Sequence, residues 1–159
     1  MFETIDSFSG NDSVQIFPSS RKLYPQEVDP LKEKIEGFKI QISKEFDGKV
    51  ETLLIYERFV IFVFHFEDKA QMNVTYNSLN AFISNIEQEL NITLMDRMNV
   101  CFKQGQYVQY KDLKAFKKLI KSKSVNAQTI VFDNLVTTVD DLKSYWELPI
   151  SETWYSRFL

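Results

Sequence analysis

The stretch Phe59-Val60-Ile61-Phe62-Val63-Phe64-His65-Phe66 decides the fold, because every position except His65 is β-branched or phenylalanine and no glycine or proline interrupts it. A membrane-spanning helix needs roughly 20 apolar residues, so this run is far too short to cross a bilayer. Val50 to Ile55 precedes it and reads as a second β-rich run, joined by a tight connection at Tyr56-Glu57-Arg58. The two make a hairpin that supplies the centre of a sheet.

Working outward toward the N-terminus, Phe46-Asp47-Gly48-Lys49 supplies a turn. Before it, Leu31, Ile35, Phe38 and Ile42 recur at helical spacing behind Asp29 as an N-cap and Pro30 at the first helical position, with Gly37 a local weakness. Val14-Gln15-Ile16-Phe17, stopped by Pro18, is the first strand. On the other side, Lys69 to Asn77 reads as polar and irregular. Ser78 then caps a helix carrying Leu79, Phe82, Ile83, Ile86 and Leu90 on one face. Met98 to Phe102 is a further strand, paired back by Tyr107 to Tyr110 across Gln104-Gly105-Gln106. Strand, helix, strand, strand, helix, strand is the order of a ferredoxin-like split βαβ, so the expected class is α+β: an antiparallel sheet with two helices on one face.

That core is expected to occupy residues 1–110 of a single domain spanning 1–159. Residues 111–159 read as a C-terminal, mainly helical elaboration: a Lys-rich helix from Asp112 to about Lys121, a β-like Thr129 to Leu135, a helix opened by Thr138, and the aromatic tail Trp154-Tyr155-Ser156-Arg157-Phe158-Leu159. Thr138 with Asp141 three residues on has the spacing of a capping box. The tail is too apolar to stay in water, and folding back onto the core is its simplest fate. A homodimer or protein-partner contact is the alternative.

Composition narrows the function more than it names it. With 19 Lys+Arg against 22 Asp+Glu the net charge is −3, so no global basic field gathers nucleic acid or lipid. The single cysteine excludes an internal disulfide and a multi-cysteine zinc site. No metal and no cofactor is expected. The opening MFETIDSFSG lacks a basic segment followed by an apolar one, and together with the lone cysteine this points to the cytoplasm.

Nucleotide chemistry of the P-loop or Rossmann kind is not expected, because neither motif occurs and the four glycines are too dispersed for a phosphate-cradling loop. His65 shares a strand face with Phe59, Ile61 and Val63 and reads as a packing residue. Cys101, between Val100 and Phe102, reads as a small buried hydrophobe. The sharper feature is arginine: only four occur, and Arg21, Arg58, Arg97 and Arg157 each stand at an element boundary. Converging, they would form an anion site, with Asp96 and Asn99 beside Arg97. Separately paired, they would merely hold loops. Lys114, Lys117, Lys118 and Lys121 form a local basic face that would suit RNA or an acidic partner, against a plain reading as a solvated helix surface. The reading these features favour is a binding or interaction module without catalysis. An enzyme or sensor of a small anionic or phosphorylated ligand is the alternative, and RNA binding a weaker one.

Several of these residues carry a resemblance that covers essentially the whole chain. They are Ser20-Arg21-Lys22, Arg58-Phe59, Asp96-Arg97-Met98, Thr129-Ile130-Val131-Phe132 with Asn134-Leu135-Val136, Trp146 with Pro149, and the Trp154, Ser156, Arg157, Phe158 ending. In these the sequence resembles a family of small bacterial proteins of uncharacterised activity, about as long as this chain, that carry the label "ABC transporter ATPase". The resemblance implies a shared fold and no particular activity. An ABC ATPase needs a Walker A lysine and a signature loop, neither of which this sequence has, so ATPase activity is not expected. In the family pattern a Cys-Ser-Ile-Asp stretch opens the second helix, where this chain has Asn73-Val74-Thr75-Tyr76-Asn77.

Overall fold

A computed structural model describes residues 1–159 throughout. The Phe-rich run forms β3 (Phe59–Phe66), the middle strand of an antiparallel sheet ordered β1-β3-β2, with β1 at Ser13–Pro18 and β2 at Gly48–Ile55. Its unbroken apolar character has a direct cause: both faces are covered. Val60, Phe62, Phe64 and Phe66 pack against α1 (Pro25–Ile42) and α2 (Met72–Leu90), while Phe59, Ile61 and Val63 pack against a second sheet. Each such side chain contributes about 1.5–3 kcal/mol by leaving water. Gly48 opens β2 in a conformation with φ +145°, and a Cβ there would fall 1.8 Å from the His65 carbonyl oxygen, so only glycine fits.

Both long helices begin earlier than their sequence signals. α1 starts with Pro25 at its first position rather than Pro30, because the Glu27 carboxylate accepts the Tyr24 N–H at 2.7 Å and closes the helix end there. Pro30 is accommodated inside. Residues 69–77 are not irregular: Asp68 accepts the Ala70 N–H, a short 3₁₀ turn follows, and α2 begins at Met72. Thr75 is buried in phase with Leu79, Ile83 and Ile86, extending the apolar face by more than one turn.

The ferredoxin-like expectation is corrected by what lies beside β1. In that arrangement the fourth strand pairs with the first. Here the outer edge of β1 is taken: the Val14 N–H donates to Thr137 O at 2.9 Å, the Val139 N–H donates to Asp12 O at 3.0 Å, and Arg97 Nε donates to Ile16 O at 2.6 Å. Excluded from that edge, β4 (Val100–Gln104) begins a second antiparallel sheet with β5 (Tyr107–Lys111), β6 (Ile130–Phe132) and β7 (Glu147–Pro149), ordered β5-β4-β6-β7. The protein is α+β with two antiparallel sheets.

Stacked, these elements make four layers. Cys101 and Phe132 face the first sheet and share a core with Phe59, Ile61 and Trp146, to which α4 (Val139–Tyr145) adds Val139 and Leu142. Val100, Phe102 and Val131 face outward and are covered by Phe116 and Ile120 of α3 (Leu113–Lys121). Asp112 and Thr138 cap α3 and α4 by accepting the Ala115 and Asp141 N–H groups. The last third is therefore no helical appendage, since β6 lies between β4 and β7. The tail folds back as a 3₁₀ turn over Trp154–Phe158, with the Tyr155 ring 5.4 Å from that of Phe116. No helix is long and apolar enough to cross a membrane.

Candidate functional site

The four arginines have separate partners, and no two of them line any one of the five main clefts. Arg21 grips Glu27 through both terminal nitrogens, at 2.8 and 3.0 Å, and donates to Leu90 O, tying the start of α1 to the end of α2. That pairing holds the Glu27 carboxyl below its usual range. Arg157 is exposed and lies over the Trp154 ring. Both have local structural partners.

Arg97 and Arg58 differ from Arg21 in having no carboxylate partner, and from Arg157 in being largely buried. Arg97 does not pair with Asp96; it spends Nε on Ile16 O and Nη2 on Gln15 Oε1, with its guanidinium over the Phe17 ring. Asp96 instead accepts the Met98 N–H and an Asn99 Nδ2–H, and Asn99 also donates to the Tyr110 hydroxyl at 2.9 Å. Asp96 and Asn99 thus form a local turn beside Arg97. Arg58 is only 7% exposed and donates from Nη1 to Ser19 O. Burial lowers the pKa of both guanidinium groups from the ordinary arginine value.

Arg97 lines a groove of about 290 Å³ between the second sheet and the tail. Val131, Phe132 and Leu148 line it, with Asp133 and Glu152 as its acids. Three large apolar side chains stand exposed around it: Met98 at 69%, Leu135 at 56% and Trp154 at 48%. Local chemistry accounts for two of the projections, Met98 and Leu135. The turn closed on Asp96 lifts Met98 outward. Asn134 turns inward, accepting the Trp146 indole N–H at 3.0 Å and donating toward Cys101 Sγ, while Leu135, beside it in a turn in which Asp133 accepts the Leu135 N–H, stands exposed. Sequence reading named these residues without placing them together, since the three come from positions far apart in the chain.

The remaining candidates lie elsewhere. His65 holds Asp12 through Nδ1 at 2.7 Å and Glu67 through Nε2 at 3.1 Å, above a polar cleft with Ser7, Ser9 and Lys49. The Asp12 bond first, then the Glu67 bond, raise the imidazole pKa. Cys101 is fully buried, and burial pushes its thiol up to about 12, which silences it as a nucleophile. Lys114, Lys117, Lys118 and Lys121 stand exposed on α3 and make no salt bridge, and Lys117 Nζ lies over the Phe158 ring. No group of three or more His, Cys, Asp or Glu side chains is placed to hold a metal ion. Comparison with protein-family models, curated proteins and solved structures found no match to this chain.

Proposed function

We propose that the chain is a cytoplasmic binding module that acts without catalysis, and that the Arg97 groove is the surface by which it takes an apolar side chain of a protein partner. The observation that carries this reading is the convergence of Met98, Leu135 and Trp154, exposed from separate segments, on one cleft. A purely structural role would bury such side chains. Anchors of this kind, ringed by polar groups, give protein interfaces most of their energy. Arg97 Nη1 makes no hydrogen bond within the protein and supplies a charged donor for a partner carbonyl beside the anchor. Asp133 and Glu152 favour a basic residue next to it in the partner.

The absence of a paired nucleophile and base supports the non-catalytic half: the thiol is buried, and the one imidazole is held by two carboxylates at another cleft. The test is selection of peptides from a random library on the folded protein. Peptides sharing an apolar anchor beside a basic residue are expected, with binding lost at least tenfold in Leu135→Glu and in Met98→Glu. Both positions are exposed, so both variants are expected to melt as the native chain does. Selected peptides that bind the two variants as tightly as the native protein would contradict the proposal.

A further inference from the structure

A further cleft, lined by Arg58, shares no lining residue with the groove. It encloses about 330 Å³ and is lined by Lys22, Tyr56, Arg58, Tyr107, Val108 and Gln109. Two cations line it and no carboxylate does. That volume falls within the range of small-ligand pockets.

The state of Arg58 is the decisive feature. Its Nη1 is committed to Ser19 O, which leaves the Nε–Nη2 edge, the edge whose two N–H groups run parallel, without a hydrogen bond in the protein. No fully buried side-chain nitrogen or oxygen of the chain lacks a partner, so those two nitrogens keep some exposure. The cleft that Arg58 lines provides it. Arg58 as a residue is more than nine-tenths buried, and its guanidinium keeps two N–H groups that the protein does not bond, which an oxyanion accepting both would satisfy.

The backbone delivers this arginine at a cost of its own. Tyr56 and Glu57, immediately before it, both sit in the left-handed region, at φ 57° and 50°, although neither is glycine. Strain of that kind gathers where a side chain must be aimed. Across the cleft, the two-residue turn joining β4 to β5 makes Gln104 and Tyr107 a hydrogen-bonded pair, so Val108 turns its N–H outward along the free edge of β5. Tyr107 is 69% exposed, leaving its ring free to cover a bound molecule.

We infer that this cleft binds a small phosphate monoester, its phosphate seated on the Nε–Nη2 edge of Arg58 and on Lys22, and its organic body against the Tyr107 ring. A phosphate monoester carries close to two negative charges at neutral pH, matching the two cations, whereas a carboxylate would leave one unmatched. Lys22 is paired with Glu57 at 3.8 Å, an exposed and therefore weak contact that a phosphate on Lys22 displaces.

Phenyl phosphate, inorganic phosphate and benzoate serve as probes, titrated into the full chain and followed by amide chemical shifts and calorimetry. Phenyl phosphate is expected to bind at least tenfold more tightly than benzoate and to shift signals of Lys22, Arg58 and Tyr107 to Gln109. Lys22→Ala is expected to weaken it about fivefold and Arg58→Lys more than tenfold, because lysine lacks the parallel pair of donors. Tyr107→Ala should weaken phenyl phosphate and leave inorganic phosphate unchanged. Lys22 is a surface residue, so its variant reports even if Arg58→Lys fails to fold. The inference is overturned by equal binding of benzoate and phenyl phosphate, by shifts confined to another site such as the lysines of α3, by full affinity in Lys22→Ala, or by no binding of either phosphate probe at millimolar concentration.

Discussion

Asn134 shows how much one side chain settles here. It joins the buried Trp146 indole to the Cys101 sulfur inside the core between the sheets, next to the exposed Leu135 of the groove. Asn134→Ala leaves the Trp146 N–H buried without an acceptor, so chemical denaturation is expected to show a loss of about 1–3 kcal/mol. An unchanged midpoint would mean that the indole finds another partner. His65 gives the second residue-scale prediction. Its pKa is raised in the folded protein, so the stability linked to it is complete below the ordinary value of 6.5 and is lost as pH climbs through the raised value. As the only histidine, it has a single C2 proton resonance, whose titration midpoint is expected above 6.5 and lower in Asp12→Asn. A midpoint at or below 6.5 in the native protein would contradict the Asp12 contact. Strand alternation made the face of His65 legible in advance; Asp12, 53 residues away, was not, because pairing across a sheet edge leaves no local signal.

Among the elements, the β2–β3 hairpin carries the clearest tension between sequence and geometry. Tyr56 and Glu57 both take left-handed backbone in a turn that ordinarily uses asparagine and glycine. Relief of roughly 1–2 kcal/mol of strain at Glu57 exceeds the entropic cost of glycine, so Glu57→Gly is expected to stabilise the protein by up to about 1 kcal/mol in urea denaturation. A clear loss instead would show that the Glu57 side chain holds the turn. The hairpin itself was legible because two β-rich runs flank a three-residue break. The first turns of α2 were not, since Asn73, Val74, Thr75 and Tyr76 are poor helix formers; burial of Thr75 and the turn capped by Asp68 override that propensity. The start of α1 was obscured by two prolines, and the carboxylate of Glu27 selects the first.

For the whole molecule, the order of the first six elements could be read from the sequence, but which strand lies beside which could not. Local pattern carries no information about who occupies the edge of β1, and there Arg97, Thr137 and Val139 displace β4. The division into a core at 1–110 and an added part at 111–159 therefore has a measurable consequence. Without residues 111–159, one face of β3 loses Phe132, Val136, Val139, Leu142 and Trp146, and β4 loses β6. Five such side chains contribute roughly 8–15 kcal/mol, comparable with the whole stability of an ordinary domain. Residues 1–110 alone are expected to lack near-ultraviolet dichroism and a cooperative melt. A cooperative melt from that fragment would restore the single-sheet core.

The proposed recognition surface belongs to this same scale, because the groove exists only where the second sheet, the Asp96 turn and the folded-back tail meet. Methyl and indole resonances of Met98, Leu135 and Trp154, followed as a selected peptide is added, test it most directly. Shifts concentrated on those three residues and on the Arg97 side chain are the predicted result. Saturable binding that leaves all of them unmoved, with shifts at α3 or at the Arg58 cleft instead, would contradict the assignment of this groove as the binding surface.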